Sequence, residues 1–557
     1  MTKCVVHFFH RNFVVLMRRW LAKYCLLMLC LVVAAESATA KALPDFAELE
    51  SSGAIIGKIM INPQNIFDLN NQEENQAFFQ WANRLHVLTR PEVISRLLLF
   101  KAGERVSKQK IDEAERLLRN SSTHYDVNIR PVAYTNGIVD IEVVTRDTWT
   151  LELTGSFSRA GGDNKTSFGV VEQNLLGSGV GIGYSRTADI DRNGSEFELS
   201  IAQAFDGWTK VDFFRGRYND GKRTALAIDR PFYAFDTRQA VHLAWRDEER
   251  MDSIFNAGNT ISEFRRRIRF AEISGGWSPG MVNSWVKRFT AGATIQDQQF
   301  GVAAGRSAPL TLPVDNNLRA LFVRVDLLED RFVKVKNFNR IERPEYLALG
   351  FNGRLQLSLP VTVAGSTHSQ PLFAATVSNG FRFSGEQILQ VSGSFARRIG
   401  EAGLPMTQVG ARIKFYSPRA ARSLVYASVT WDHVQGGGIT DQLLIGGNFG
   451  LRGYPSRYQA GEQRVLFSIE KRVFAKWYPL RLLRIGGAVF FDTGRAWGGQ
   501  NQNTINGGQL SDIGVGLRIA LDRTAFANML HVDLAMPLNR APGIKPVQFL
   551  IKSEFSF

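Results

Sequence analysis

Arg452 is the residue whose chemistry stands out first. Its guanidinium is a planar fork of donors that grips carboxylates in two-point fashion. Gly453 follows it and lets the backbone turn tightly. Glu470 and Asp492 lie on neighbouring strand-like segments downstream and could both point the same way. No serine nucleophile elbow, Walker loop or H-E-x-x-H appears. The 8 histidines are dispersed, which argues against a His-based metal site. The 3 cysteines, Cys4, Cys25 and Cys30, all precede residue 40, so disulfides, thiolate catalysis and Cys-metal sites are not expected beyond it. The expectation is a non-enzyme: catalytic residues none, metal none, cofactors none.

The elements that must position these residues are strands. From Phe197 to Ala202, Phe197, Leu199 and Ile201 alternate with Glu198, Ser200 and Ala202. From Val425 to Asp432, Val425, Ala427, Val429 and Trp431 alternate with Tyr426, Ser428, Thr430 and Asp432. Repeated over segments of roughly 10 residues, this pattern fits a membrane barrel with lipid outside and a polar lumen. Backbone groups in lipid must be paired internally, so the sheet must close on itself. Trp208, Trp245, Trp277, Trp285, Trp431, Trp477 and Trp497 sit at segment ends, where interfacial girdles form. Up to about 20 candidate strands can be marked in residues 148–557. The stretch around Asn256 to Phe270 reads as a loop hairpin, and Arg265-Arg266-Arg267 with Arg269 as a basic rim near lipid head groups.

The last strand is diagnostic. Val547, Phe549, Ile551, Phe555 and Phe557 share one face, interrupted by Ser553; Gln548, Lys552, Glu554 and Ser556 share the other, with Leu550 as its one apolar member. A bare aromatic edge at a chain end would be an aggregation hazard in a soluble protein. In outer-membrane barrels Phe549, Ile551, Phe555 and Phe557 would serve as the C-terminal signal that addresses the chain for insertion.

The N-terminal end differs. Arg18, Arg19 and Lys23 precede an apolar run, Leu26 to Ala35, and an A-x-A pattern ending at Ala40. This predicts a signal peptide over 1–40, with translation starting at Met1 or Met17, and a linker over 41–53. No later run approaches the roughly 18 apolar residues of a spanning helix. The net charge of +15 falls to about +11 once the +4 of the first 40 residues is removed. For an exported chain this suits anionic lipid or lipopolysaccharide rather than nucleic acid, or a simple scatter of solvated charges.

A small domain is predicted over 54–147. An extended segment, Ala54 to Met60, leads to helices at Pro91–Leu99 and Lys108–Arg119, with Gly103 between them. Strands Tyr125–Tyr134 and Ile138–Thr145 follow, joined at Asn136-Gly137, where both residues tolerate positive φ. The order is β-α-α-β-β. Its outer strand offers an edge to which an extended peptide can add, with Tyr125, Val127 and Ile129 as candidate client-binding residues, unless that edge is covered.

Taken in order, these pieces resemble a family. Ile445-Gly446-Gly447 with Leu451-Arg452-Gly453-Tyr454 resembles the R-G-F/Y loop of the BamA/TamA superfamily of outer-membrane assembly and translocation factors. Phe490-Phe491-Asp492-Thr493-Gly494 resembles its F-x-D-x-G strand, and Ser468-Ile469-Glu470 lies where the family carries an acidic residue. The small domain resembles a POTRA domain, and the region after it a surface-antigen β-barrel. The resemblance implies 16 strands, a loop latch of Arg452, Gly453, Tyr454, Glu470, Asp492 and Gly494, and a clamp of Glu470 and Asp492 on Arg452. Only one POTRA-like unit is present, where the family's general assembly factors have several.

The mainly β chain is therefore expected in the outer membrane of a Gram-negative bacterium. One small α+β POTRA-like domain in the periplasm precedes a C-terminal antiparallel transmembrane barrel over 148–557. It would assist insertion or translocation of clients across or into that membrane, passing them to a seam between about Thr150–Ser158 and Val547–Phe557. Expected partners are outer-membrane lipids, lipopolysaccharide, unfolded outer-membrane or secreted clients, and a periplasmic or inner-membrane accessory protein, with no nucleic acid. A channel for small solutes or lipid, or a surface antigen or adhesin, remains open as an alternative.

Overall fold

The computed structural model describes residues 43–557 except 161, 190–191, 257–258, 400–404, 439–440, 500–507, 526–528, 541–543 and 555–557. The expected signal segment 1–40 and the terminal Phe555 and Phe557 lie outside the described residues.

The N-terminal region holds helices α1 (Phe46–Ser51), α2 (Ala77–Leu85), α3 (Pro91–Ser95) and α4 (Lys108–Asn120). Strands β1 (Ile55–Gln64), β2 (His124–Thr135) and β3 (Ile138–Asp147) form one sheet in the order β1-β3-β2. Asp45 caps α1 through a capping box with Glu48. Pro91 opens α3, which stops at Ser95 rather than running to Leu99. Asn136 and Gly137 take φ of 52° and 79°, as the hairpin requires. Helix α2 adds one element to the β-α-α-β-β order expected over 54–147, and α1 lies within the expected linker 41–53. By contacts, this region divides between two compact units. One holds the residues up to Ile59 with Ala102–Lys108 and Arg130–Glu142; the other holds Met60–Lys101, Gln109–Ile129 and Val143–Phe557.

The remainder is one antiparallel sheet. Among the described residues it comprises twenty strands of seven residues or more, plus the two-residue piece Met281–Val282. The residue-based count of about 20 agrees, and the 16 implied by the resemblance does not. The stretch expected as a loop hairpin is part of two of the longest strands, Gln239–Asn256 and Asn259–Trp277, paired almost throughout. Arg265, Arg266 and Arg267 lie in the second of these and meet Glu249, Asp252 and Asp247 of the first, so they form cross-strand ion pairs instead of a free basic rim.

The sheet curls until its first strand, β4 (Leu151–Ala160), meets its last, Gln548–Glu554, at a single bridge, Ile551 opposite Arg159. Among the described residues this is the one register pair that joins the two strands. Alternate residues face outward as apolar, exposed side chains: Phe168 and Val170, Leu321 and Val323, Ile513 and Val515, Leu534 and Met536. Their inward neighbours include buried Asp326, Glu470, Asp512 and Arg518. A continuous exposed apolar wall around a curled sheet suits lipid contact and would be a liability in water. Trp277 and Trp285 are exposed at strand ends, where girdle residues belong, whereas Trp245 and Trp431, expected at segment ends, lie inside strands Gln239–Asn256 and Ser423–Gln435.

The connection between strands Asn316–Glu329 and Asn352–Pro360 contains a short hairpin, Phe332–Lys336 against Pro344–Ala348. Its tip residues Phe338 and Ile341 pack on Tyr416, Phe474 and Met529 of the barrel wall. Arg343 of this hairpin donates to the His124 carbonyl at 2.8 Å. Burial and the nearby Arg340 push its guanidinium down to about 10, which leaves it charged at neutral pH.

Candidate functional site

The loop carrying Arg452 begins in a two-stranded piece, Leu443–Ile445 against Gln459–Gly461. Gly446, Gly450 and Leu451 take positive φ (111°, 86° and 58°), so the loop is bent through conformations that glycine tolerates and leucine does not prefer. Leu451, Tyr454 and Tyr458 bury against Ile445, Ala496 and Leu510. The strain at Leu451 is thus held by packing.

Arg452 is the centre of the arrangement. Its Nε donates to Asp492 Oδ2 at 2.7 Å and its Nη2 to Asp492 Oδ1 at 3.0 Å, a two-point pair. Nη1 reaches Glu470 at 3.1 Å and Asp533 at 3.2 Å. The guanidinium also lies over the Phe490 ring, 3.3 Å from its centroid. Strand parity explains the convergence. Glu470 pairs with Phe490, and Asp492 with both Ser468 and Asp512, so all these side chains face inward. Both expected carboxylates therefore reach the expected arginine.

The network is larger than the motif. Arg518 donates to Glu470 at 3.0 Å and to Asp533 at 2.6 Å, and Arg472 to Glu470 at 2.9 Å. Ser468 donates to Asp492 at 2.6 Å. Arg472 also donates to the Phe338 carbonyl at 3.1 Å, tying the network to the hairpin tip. Three guanidiniums and three carboxylates thus compensate one another in a nearly dry site. Removing one partner from such a set is costly because the others stay buried. Asp533, Arg518, Arg472 and Phe490 were not singled out from the sequence; only Phe490 lay within a quoted motif.

Gly453 acts differently from expectation. It does not take a positive φ. A side chain there would lie 2.6 Å from Asp512 Cβ and 3.0 Å from the Pro537 amide nitrogen, so the position requires glycine for space. Its own N–H donates to Asp512 at 3.0 Å. The Tyr454 hydroxyl lies 2.9 Å from the Ser511 carbonyl and accepts from the Asn539 amide at 3.3 Å. Gly494 admits the Ile445 side chain, which a Cβ would meet at 2.8 Å.

The last strand touches this network from the other side. Leu550, the apolar exception on its inward face, is buried against Phe490 and Ala535. Phe549 and Ile551 face outward, and Phe549 is exposed. The seam strand is thereby one contact removed from Arg452.

Chain on both sides of the seam is gripped by the segment 66–96. Arg523, just after strand Leu510–Leu521, donates to the Ile66 carbonyl at 3.2 Å and to Glu74 at 2.7 Å. On the other side, Asp147 accepts from the Thr89 amide at 2.7 Å, and Thr89 accepts from Asn174 at 2.8 Å. Gln203 reaches the Val93 carbonyl at 2.8 Å. Trp149, leading into β4, also bonds the Arg523 carbonyl at 2.7 Å.

The candidate client-binding residues lie on β2, which is an edge of its sheet. Val127 and Ile129 are buried, and Tyr125 sits beneath Arg343 and Arg523 with its hydroxyl donating to Asp522 at 3.3 Å. Arg343 holds the His124 carbonyl and Arg119 the Val127 carbonyl, so this part of the edge is already engaged.

No protein-family model and no curated protein matches the chain. Among the solved structures similar to it, three match over 90% of the chain. The BamA of Haemophilus ducreyi lacking POTRA domains 1–3 is 14% identical, with 84% of that chain covered and a TM-score of 0.39. The CdiB of Acinetobacter baumannii is 12% identical, with 74% covered and a TM-score of 0.43. The CdiB of Escherichia coli is 11% identical, with 76% covered and a TM-score of 0.47. At these scores the fold assignment rests on the strand pairing and side-chain parity described above.

Proposed function

We propose that this chain is an outer-membrane barrel factor that assists the insertion or translocation of client proteins. The observation that carries this reading is the seam. Among the described residues every other neighbouring pair of long strands shares at least seven register pairs, whereas β4 and Gln548–Glu554 share one. A barrel that merely conducts solutes gains nothing from a weak join, but a client strand can pair there with two half-free edges. The ion network around Arg452 supports the reading by stiffening the wall beside the seam, so that opening is confined to it.

The small domain would stand in the periplasm and receive the client by strand addition. Since the start of β2 is engaged, addition falls on the stretch beyond Ile129. The outward apolar wall would contact outer-membrane lipid. Quantitative proteomics of outer membranes with and without the gene tests the proposal. A specific set of outer-membrane or secreted proteins should be depleted on deletion; an unchanged outer-membrane proteome and unchanged secretion would refute it.

A further inference from the structure

Helix α2 has three kinds of face. Phe79 and Ala82 are buried with Ile66 and Phe67, against Trp149 and Leu482. Gln80 and Arg84 form a polar stripe. Phe78, Trp81 and Leu85, spaced as one helical face, stay 55%, 54% and 55% exposed. A nine-residue helix already seated by one apolar face has no folding reason to carry a second.

We propose that this second face, with the adjacent turn 475–482, is seated in the headgroup–acyl boundary of the membrane leaflet at that end of the barrel. Four observations name lipid as the occupant. The turn joins strands Gln463–Phe474 and Leu483–Trp497, whose outward residues Val473 and Val489 belong to the exposed apolar wall. The turn continues that wall with Trp477 and Leu480, 68% and 73% exposed. It is bound to the helix region through Leu482 and the Arg481–Glu73 ion pair. Arg84 and Lys476, both exposed, flank the apolar face with positive charge, the pattern of a segment lying on an anionic surface. A tryptophan at such a boundary places its ring in the apolar zone and its N–H at the headgroups.

The inference rests on the reading of the outward wall as lipid-facing, and its test separates the two. The full chain, with Cys4, Cys25 and Cys30 replaced by Ser, is spin-labelled singly at Trp81→Cys, Gln80→Cys or Val489→Cys. It is reconstituted in nanodiscs of phosphatidylethanolamine with a minority of phosphatidylglycerol. Oxygen should relax the labels at 81 and 489 more than a water-soluble nickel chelate does, with the order reversed at 80. If 489 reads as lipid and 81 reads like 80, the helix is in water and the inference falls alone. If 489 itself reads as aqueous, the barrel reading falls too. A label at 81 shielded from both reagents, with spectral broadening that grows with protein concentration, would mean that a second copy covers the face, which also overturns the inference. Heat-modifiable gel mobility checks that each variant is folded, and Phe78→Cys replaces Trp81→Cys if that variant is not; it should read as lipid.

Discussion

Strands Gln463–Phe474 and Leu483–Trp497 share twelve register pairs, and Arg452 pins them from within through Glu470 and Asp492. Strands β4 and Gln548–Glu554 belong to the same sheet and, among the described residues, share one pair. Beside them the chain is held by segment 66–96, through Arg523 on one side and Asp147 and Asn174 on the other. The difference shows where this barrel spends its rigidity. One wall is fixed by desolvated charges that cannot be separated cheaply, and the chain beside the seam by hydrogen bonds to segment 66–96. Leu550, packed on Phe490, lies between the two regimes.

Breaking the rigid wall should have the largest effect. Arg452→Ala leaves Asp492, Glu470 and Asp533 short of a partner and should cost about 3–5 kcal/mol in barrel stability. Heat-modifiable mobility against temperature reads this directly. Arg452→Lys should recover only part of the loss, because an ammonium cannot reproduce the two-point pair with Asp492. Mobility curves identical to the parent for Arg452→Ala would remove the network as a stabilising device. Gly453→Ala tests the same wall by space alone. Its Cβ would sit 2.6 Å from Asp512 Cβ, which should cost about 1–3 kcal/mol in the same assay. On the seam side the effects should be smaller. Asn174→Ala removes the donor to Thr89 and should cost about 1 kcal/mol of barrel stability, while raising protease access to segment 66–96.

Legibility in the sequence followed the same division. Alternating strands, the Asn136-Gly137 hairpin and α4 were readable because each depends on a local period or turn residue. Arg452, Glu470 and Asp492 were readable because short motifs carry them. Asp533 and Arg518 were not, since an inward charge among many alternating charges gives no local sign of its partner. Helix α2 escaped because two of its faces are apolar, which blurs the single stripe that periodicity detects. The hairpin Phe332–Lys336/Pro344–Ala348 looks like any barrel strand pair in sequence; only its five-residue length sets it apart. The single register pair between the first and last strands among the described residues was not readable, because it is a property of how the two strands meet and not of either alone.

The most direct test of the account is a covalent staple across the seam. Arg159 and Ile551 are directly paired, so Arg159→Cys with Ile551→Cys places two thiols within disulfide reach. The oxidised double variant, in a background with Cys4, Cys25 and Cys30 replaced by Ser, should be as heat-stable as the parent or more so. It should fail to restore the client proteins lost on deletion, and reduction should restore them. Full restoration by a completely oxidised staple would contradict the claim that clients pass through this seam.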